Sequence, residues 1–270
     1  MTYIKTSVRK PQGNKSPGAS APKEPNVTIV DVEDILTFAE RDSKGVLING
    51  SHVLKPNARM ITYYATPSSI VPTYETEGEE DAVSFLHKVE TASPGDELEL
   101  NELIQNWTGR NAIVIIGSCS DKFRKQYGSK CAPLQLKPSL QDNNDGRKHI
   151  LNWEQTARTG YVPAHYMGEL TYAEPEQVSA ANIAITDDSL MLRLLASDAE
   201  TAISISSVDA DHGKIVTLIG SGGSEPAVLE PGANVILKDG ANWTALEGAV
   251  INFQVYHAGA TPTLIETSRS

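Results

Sequence analysis

The last third of the chain consists of short apolar runs that are separated by tight-turn residues, and this pattern constrains the fold most. The runs are three to seven residues long, too short for stable helices, and no helical period links them except weakly at 190–195. The turns between them are Asp211-His212-Gly213, Gly220-Ser221-Gly222-Gly223, Glu230-Pro231-Gly232 and Lys238-Asp239-Gly240. Turn signals at this spacing predict a small antiparallel β domain over residues 176–270, after a boundary at Glu174-Pro175-Glu176.

The preceding part, residues 26–175, also reads as a β domain. Residues with high β propensity predict strands at 26–31, 45–48, 59–65, 83–89, 111–116, 134–140, 148–153 and 165–172. Three stretches are candidates for a helix. Residues 30–40 and 98–107 are each compatible with either a strand or a short helix, and the pattern of 120–128 predicts a short surface helix. The fold class is therefore mainly β, with a β-sandwich or barrel-like N-terminal domain containing a short helix, and the antiparallel C-terminal domain.

A dense set of turn formers separates two of these strands. Residues 141–146, Gln-Asp-Asn-Asn-Asp-Gly, lie between the strands at 134–140 and 148–153. Asn, Asp and Gly adopt the backbone conformations that tight turns need. The sequence therefore predicts a long hairpin with a polar tip.

The first 25 residues differ in composition from the rest. They carry Lys5, Arg9, Lys10, Lys15 and Lys23 against Glu24 alone, and residues 10–25 are rich in Pro, Gly, Ser and Lys. Such a segment cannot build a core. It is either a solvated tail or a flexible basic arm that becomes ordered on a neighbouring subunit.

The rest of the chain is strongly acidic. The net charge is -11 overall, so a charge of +4 on residues 1–25 leaves -15 on the other 245 residues. An acidic body repels phosphates, which disfavours a DNA-reading role. The stretch 75–102 is the most acidic, with ten carboxylates against Lys88, and is either a solvated face or a surface that has to stay negative.

The two cysteines and the N-terminus indicate the compartment. Cys119 and Cys131 are too few for a disulfide scaffold, and their spacing does not match a zinc site, so reduced thiols are favoured over a disulfide. Met1 to Lys10 lack the apolar stretch of a secretion signal, and no run approaches the ~20 apolar residues that cross a bilayer. We expect a chain without membrane contact, kept in a soluble compartment.

No motif predicts catalysis, a cofactor or a metal. The glycine-rich loop 220–223 is followed by Glu225-Pro226 rather than by a helix that would face a phosphate. The six histidines are scattered singly, and no nucleophile elbow is present. Acidic pairs such as Asp187-Asp188 lack an evident sugar-stacking platform of aromatic residues. We expect a protein that is not an enzyme.

Three stretches near the end combine apolar runs with glycine-rich turns: 213–223 (GKIVTLIGSGG), 235–245 (VILKDGANWTA) and 265–270 (IETSRS). They resemble C-terminal β modules of tailed-phage structural proteins, in which such ladders precede a Ser-Arg ending. The layout of residues 1–175, with an arm, an acidic β body, one helix and a long hairpin, is similar to that of phage tail-tube subunits. In that family, stacked rings of subunits enclose a channel, arms and loops join successive rings, and extra β modules lie outside.

The resemblance implies a structural subunit of a virion, assembled in the host cytoplasm. Its partners would be copies of itself, other virion proteins, and DNA that passes without specific binding. The implied assembly contacts are Lys5, Arg9, Lys10, Lys15, Asp142, Asn143, Asn144 and Asp145, and the implied lumen acids are Glu75, Glu77, Glu79, Glu80, Asp96, Glu97 and Glu99. Two alternatives stay open: a capsid decoration or head-fibre protein, and a carbohydrate-binding fibre module that Trp243→Ala would inactivate.

Overall fold

The computed structural model describes residues 5–10, 18–119, 124–257 and 261–270, and it confirms a mainly β protein. The strands are β1 (Asn26–Asp31), β2 (Ile35–Thr37), β3 (Leu47–Ile48), β4 (Val53–Leu54), β5 (Ile61–Tyr64), β6 (Val71–Glu77), β7 (Ser84–Pro94), β8 (Ala112–Gly117), β9 (Arg124–Tyr127), β10 (Leu134–Asn143), β11 (Gly146–Gln155), β12 (Ala164–Tyr166), β13 (Glu176–Val178), β14 (Ile183–Ile185), β15 (Met191–Leu194), β16 (Ile205–Val208), β17 (Ile215–Ile219), β18 (Val228–Leu229), β19 (Val235–Ile236), β20 (Trp243–Thr244), β21 (Val250–Tyr256) and β22 (Thr263–Arg269). One α-helix, α1 (Leu98–Trp107), lies in the described part of the chain.

The chain forms two compact units that are interleaved along the sequence. The first unit comprises residues 1–29, 41–47 and 62–165, and the second comprises 30–40, 48–61 and 166–270. The sequence predicts two consecutive domains divided near residue 175, whereas two early segments of the chain belong to the second unit.

The first unit contains most of a ten-stranded sheet. Eight of its strands follow the order β3-β12-β9-β8-β10-β11-β7-β6, and β1 and β5 pair off this path. In β7 and β11 buried residues alternate with less buried ones, as the two-residue period of a strand with one covered face requires. The buried face includes His87, Val89, Leu151 and Trp153.

The helix α1 covers part of that buried face. Its half-buried side carries Leu100, Leu103, Ile104 and Trp107, spaced as one face of a helix. The Trp107 ring meets Trp153 edge-on, with centroids 6.1 Å apart and planes at 75°. Of the two structures compatible with 98–107, the chain therefore adopts the helix.

The helix predicted over 120–128 is wrong where the structure describes it, because residues 124–127 form the strand β9; residues 120–123 lie outside the described residues. The mixed charges of this stretch resemble a surface helix, but Gln126 and Tyr127 are buried and the strand pairs with β8. In the other ambiguous stretch, 30–40, a single 3-10 turn (Val32–Asp34) precedes β2, and Asp31 Oδ1 accepts a hydrogen bond from the Glu33 N–H at 2.9 Å.

The second unit is β-rich as expected, but it is not purely antiparallel. Its chain passes alternately between two sheets, so β13, β15 and β17 pair in parallel in one sheet and β14 and β16 in another. A strand that returns to a sheet after crossing to its neighbour runs in its original direction, which short apolar runs do not reveal. The partners β17, β21 and β22 are antiparallel, as predicted.

A buried polar cluster lies within the second unit. Asn252 Oδ1 accepts hydrogen bonds from the Thr217 hydroxyl at 2.7 Å and from the Ser51 N–H at 3.3 Å. Asn252 Nδ2 donates to Ser268 Oγ at 3.1 Å, and the hydroxyl oxygens of Thr217 and Ser51 lie 2.8 Å apart. The segment 48–61 is thus tied to the second unit by specific hydrogen bonds.

Candidate assembly surfaces

The predicted hairpin is confirmed, and its strands are longer than the sequence indicates. Strands β10 and β11 pair over ten positions from Leu134↔Gln155 to Asn143↔Gly146, so the loop contains only Asn144 and Asp145. Asn143 Oδ1 accepts the Asp145 N–H at 2.9 Å, and Gly146 follows with a φ of 123°, which favours glycine. Most residues expected in a polar tip therefore belong to the ladder.

The distal half of this hairpin extends beyond the core. Along the core-facing side of β10 the exposed fraction rises from 0% at Leu134 and 3% at Leu136 to 52% at Leu140. The four candidate contact residues at the tip, Asp142, Asn143, Asn144 and Asp145, are all exposed. The hairpin thus presents a leucine and a polar tip to its surroundings.

Asp96 fixes the beginning of α1 to the hairpin. Its carboxylate accepts hydrogen bonds from Asn101 Nδ2 at 2.7 Å and from His149 Nε2 at 2.9 Å, and it pairs with Arg147. The bond from Asn101, then that from His149, and the nearby Arg147 charge lower the Asp96 pKa. Asp96 is therefore a structural anchor whose charge is compensated.

The sheet face opposite the core is polar and carries both charges. By strand register, Thr73 of β6, Lys88 of β7, Glu154 of β11 and Gln135 of β10 share this face. Glu154 is held by Lys137 Nζ at 2.7 Å and Lys88 Nζ at 3.2 Å, and the bond from Lys137 is the main cause that lowers its pKa. This face, which we term the polar face, therefore carries both signs of charge, with two lysines paired to one glutamate over its central strands.

The other candidate lumen acids lie in two places. Glu75 and Glu77 lie on the β6 part of the polar face, where Glu77 pairs with Arg158 at 3.2 Å, and Glu79 and Glu80 follow in the exposed connection to β7. The exposed Glu97 and Glu99 instead lie at the beginning of α1, next to Asp96. The seven acids therefore do not form one continuous strand-borne row.

The net charge is distributed very unevenly between the two units. The first unit holds 17 Lys and Arg against 16 Asp and Glu, a charge of +1, and the second holds 6 against 18, a charge of -12. Most of the contrast comes from residues 166–270, which hold 4 Lys and Arg against 14 Asp and Glu. The first unit, which carries the hairpin, is nearly neutral.

The end of the arm is attached to β8 by a single β-bridge between Lys23 and Ser118. Glu24 N–H donates to the Gly117 carbonyl at 3.2 Å, and Cys119 N–H donates to the Pro22 carbonyl at 3.0 Å. Further out, Lys5, Arg9 and Lys10 are exposed, and Lys15 lies outside the described residues. Sequence reasoning missed this attachment, because Pro22-Lys23-Glu24 carries no strand pattern.

The residues considered for chemistry are not gathered at one place. The described residues contain no group of three or more His, Cys, Asp or Glu side chains that would hold a metal ion. The loop 220–223 leads to β18 rather than to a helix, and Trp243, the residue chosen for the carbohydrate test, is buried. Cys119 and Cys131 are free and exposed.

In the ranges that the structure describes, no helix is both long and apolar enough to cross a bilayer. The chain matches no family model, no curated protein and no solved structure.

Proposed function

We propose that this chain is a structural subunit of a tailed-phage virion that assembles with copies of itself, with a tail-tube subunit as the specific role. The observation that carries the proposal is the hairpin β10–β11, which is fully paired and yet extends beyond the core that should cover Leu140. An exposed leucine on an ordered ladder has a defined position, so a neighbouring subunit can bury it in a fixed geometry. The resemblance of the layout to tail-tube subunits supports the same role.

The polar face supports a role as the lining of a passage. Its lysines Lys88 and Lys137 are both engaged by Glu154 in cross-strand ion pairs, which weakens their hold on a passing phosphate. β6 ends the sheet, and its seven residues, Val71–Glu77, carry an open edge to which another chain can add. Rings built through this edge would expose the polar faces of all subunits to a common interior.

Electron microscopy of the purified full chain tests the specific role. A tail-tube subunit gives rings or stacked tubes with an axial channel. If the chain instead forms trimers or monomers that bind empty capsid shells, the result favours a capsid decoration protein over a tail-tube subunit. A monomer that binds neither shells nor other copies would reject the structural role altogether.

A further inference from the structure

A cavity of about 280 Å³ lies in the first unit, separate from the hairpin and from the polar face. Its described lining comprises Ala21, Lys23, Pro72, Ile116, Gly117, Ser118, Lys125, Tyr127 and His165. Among the residues that the structure describes, the lining contains two lysines and one histidine but no carboxylate, in a chain whose net charge is -11.

Strand register places these basic side chains on one face of the sheet. Lys125 of β9 lies directly opposite Ile116 of β8 on one side and His165 of β12 on the other. Ser118 is two residues beyond Ile116 and so lies on the same face, and it forms a β-bridge with Lys23 of the arm. Four neighbouring chain segments thus bring Lys23, Lys125 and His165 together.

The nearest carboxylate of the arm points away from this face. Glu24 follows Lys23 in an extended segment, so its side chain lies on the opposite face. A Cβ added to Gly117 would come within 2.1 Å of Glu24 Oε2, which shows that Glu24 packs against the backbone there. In the described part of the chain, no carboxylate forms an ion pair with Lys23 or Lys125.

Tyr127 adds a hydrogen-bonding group to the cavity wall. It is only 5% exposed, and its hydroxyl forms no hydrogen bond with the described residues. Burial is the main cause that raises its pKa to about 12, so the hydroxyl keeps its proton as a donor. The hydroxyl lies at the cavity wall, where a ligand or water can accept its hydrogen bond.

We propose that this cavity binds a small phosphomonoester. Two ammonium groups and a neutral hydroxyl donor match the dianionic charge and the several acceptor oxygens of a phosphate better than the single charge of a carboxylate. Ile116, Pro72 and Ala21 provide apolar contact for the group that carries the phosphate. The volume is near the lower end of small-molecule pockets, about 300 Å³, which fits one phosphate on a ring-sized body.

Calorimetric titration of the full chain with phenyl phosphate, inorganic phosphate and benzoate at constant ionic strength tests the proposal. Phenyl phosphate binds most tightly, because it uses both the cations and the apolar wall. Lys125→Gln weakens its binding about tenfold, since one charge-assisted hydrogen bond is lost. Tyr127→Phe, which removes only the hydroxyl, weakens the binding of phenyl phosphate several-fold. It is the test variant if Lys125→Gln fails to fold.

Two controls separate a specific site from a general salt effect. Lys148 is a strand lysine of β11 outside the cavity, so Lys148→Gln leaves the affinity unchanged. Bound phosphate also slows tryptic cleavage after Lys23, but not after the exposed Arg9 of the same arm. The proposal is overturned if benzoate binds as tightly as phenyl phosphate, or if Lys148→Gln weakens binding as much as Lys125→Gln. It is also overturned if about 10 mM phenyl phosphate gives neither a heat of binding nor protection of Lys23 from trypsin. None of these results depends on whether the chain forms rings.

Discussion

Replacing Asn252 by alanine tests whether the buried polar cluster holds the second unit together. The side-chain amide of Asn252 contacts the Ser51 N–H, the Thr217 hydroxyl and the Ser268 hydroxyl. Ser51 and Thr217 are almost completely buried, so water cannot replace the lost partner. Each buried polar group left without a partner costs about 1–3 kcal/mol. With Ser51 and Thr217 both affected, we expect Asn252→Ala to lower the free energy of unfolding by about 3 kcal/mol.

Urea denaturation followed by circular dichroism measures this loss. Gln254→Ala is the matched control, because Gln254 lies on the same strand but is exposed, and we expect a change within about 0.5 kcal/mol. Thr217→Val should lower the free energy of unfolding by at least about 1 kcal/mol less in the Asn252→Ala background than in the wild type. In that background the Thr217 hydroxyl has already lost its acceptor, so its removal costs less. A loss below about 0.5 kcal/mol for Asn252→Ala, or strictly additive effects of the two substitutions, would refute this reasoning.

Three further predictions concern stability. Tyr63→Phe should cost about 1–3 kcal/mol in urea denaturation, because the Trp153 indole N–H, which donates to the Tyr63 hydroxyl at 2.9 Å, is left without an acceptor; no loss would show that this bond is dispensable. Trp243→Phe should cost less than Trp153→Phe, because the buried Trp243 Nε1–H has no hydrogen-bond partner among the described residues to lose; the reverse order of unfolding free energies would contradict this. Burial, as the largest cause, lowers the His87 pKa from 6.5, so its stabilising contribution is complete above that pH and declines as the pH falls towards the lowered value. Unfolding free energies at about pH 7.5 and about pH 5.5 should therefore differ less in His87→Gln than in the wild type, and an unchanged difference would show that His87 is not responsible.

The hairpin could be predicted from the sequence, whereas the interleaving of the two units could not. The dense turn formers of Gln-Asp-Asn-Asn-Asp-Gly between two predicted strands specify pairing of chain neighbours, as the ladder from Leu134↔Gln155 to Asn143↔Gly146 confirms. The bond between Ser51 N–H and Asn252 Oδ1 spans 201 residues, and no local pattern at 48–61 shows which unit will receive it. The parallel pairing of β13, β15 and β17 was missed for a similar reason, since strand direction depends on the path taken between sheets.

The basic cavity was also beyond sequence reasoning. The sequence places Lys23 in a basic tail or arm and Lys125 in a predicted surface helix, and it gives His165 only as one of six scattered histidines, at the start of a predicted strand. Only the pairing of β12, β9 and β8, together with the bridge between the arm and Ser118, brings them to one face. Residues that are far apart in the chain thus become neighbours through the register of the sheet.

The mass of the full chain in solution, measured by light scattering for the wild type and two variants, tests most directly whether the hairpin mediates assembly. Leu140→Lys places a charge on the projecting hairpin, and Ile236→Lys places the same charge on an equally exposed residue of the second unit, 51% against 52%. We predict assemblies for the wild type and Ile236→Lys, and a mass near the 29.1 kDa of one chain for Leu140→Lys. A monomeric wild type, or Leu140→Lys assemblies as large as those of the wild type, would contradict the account.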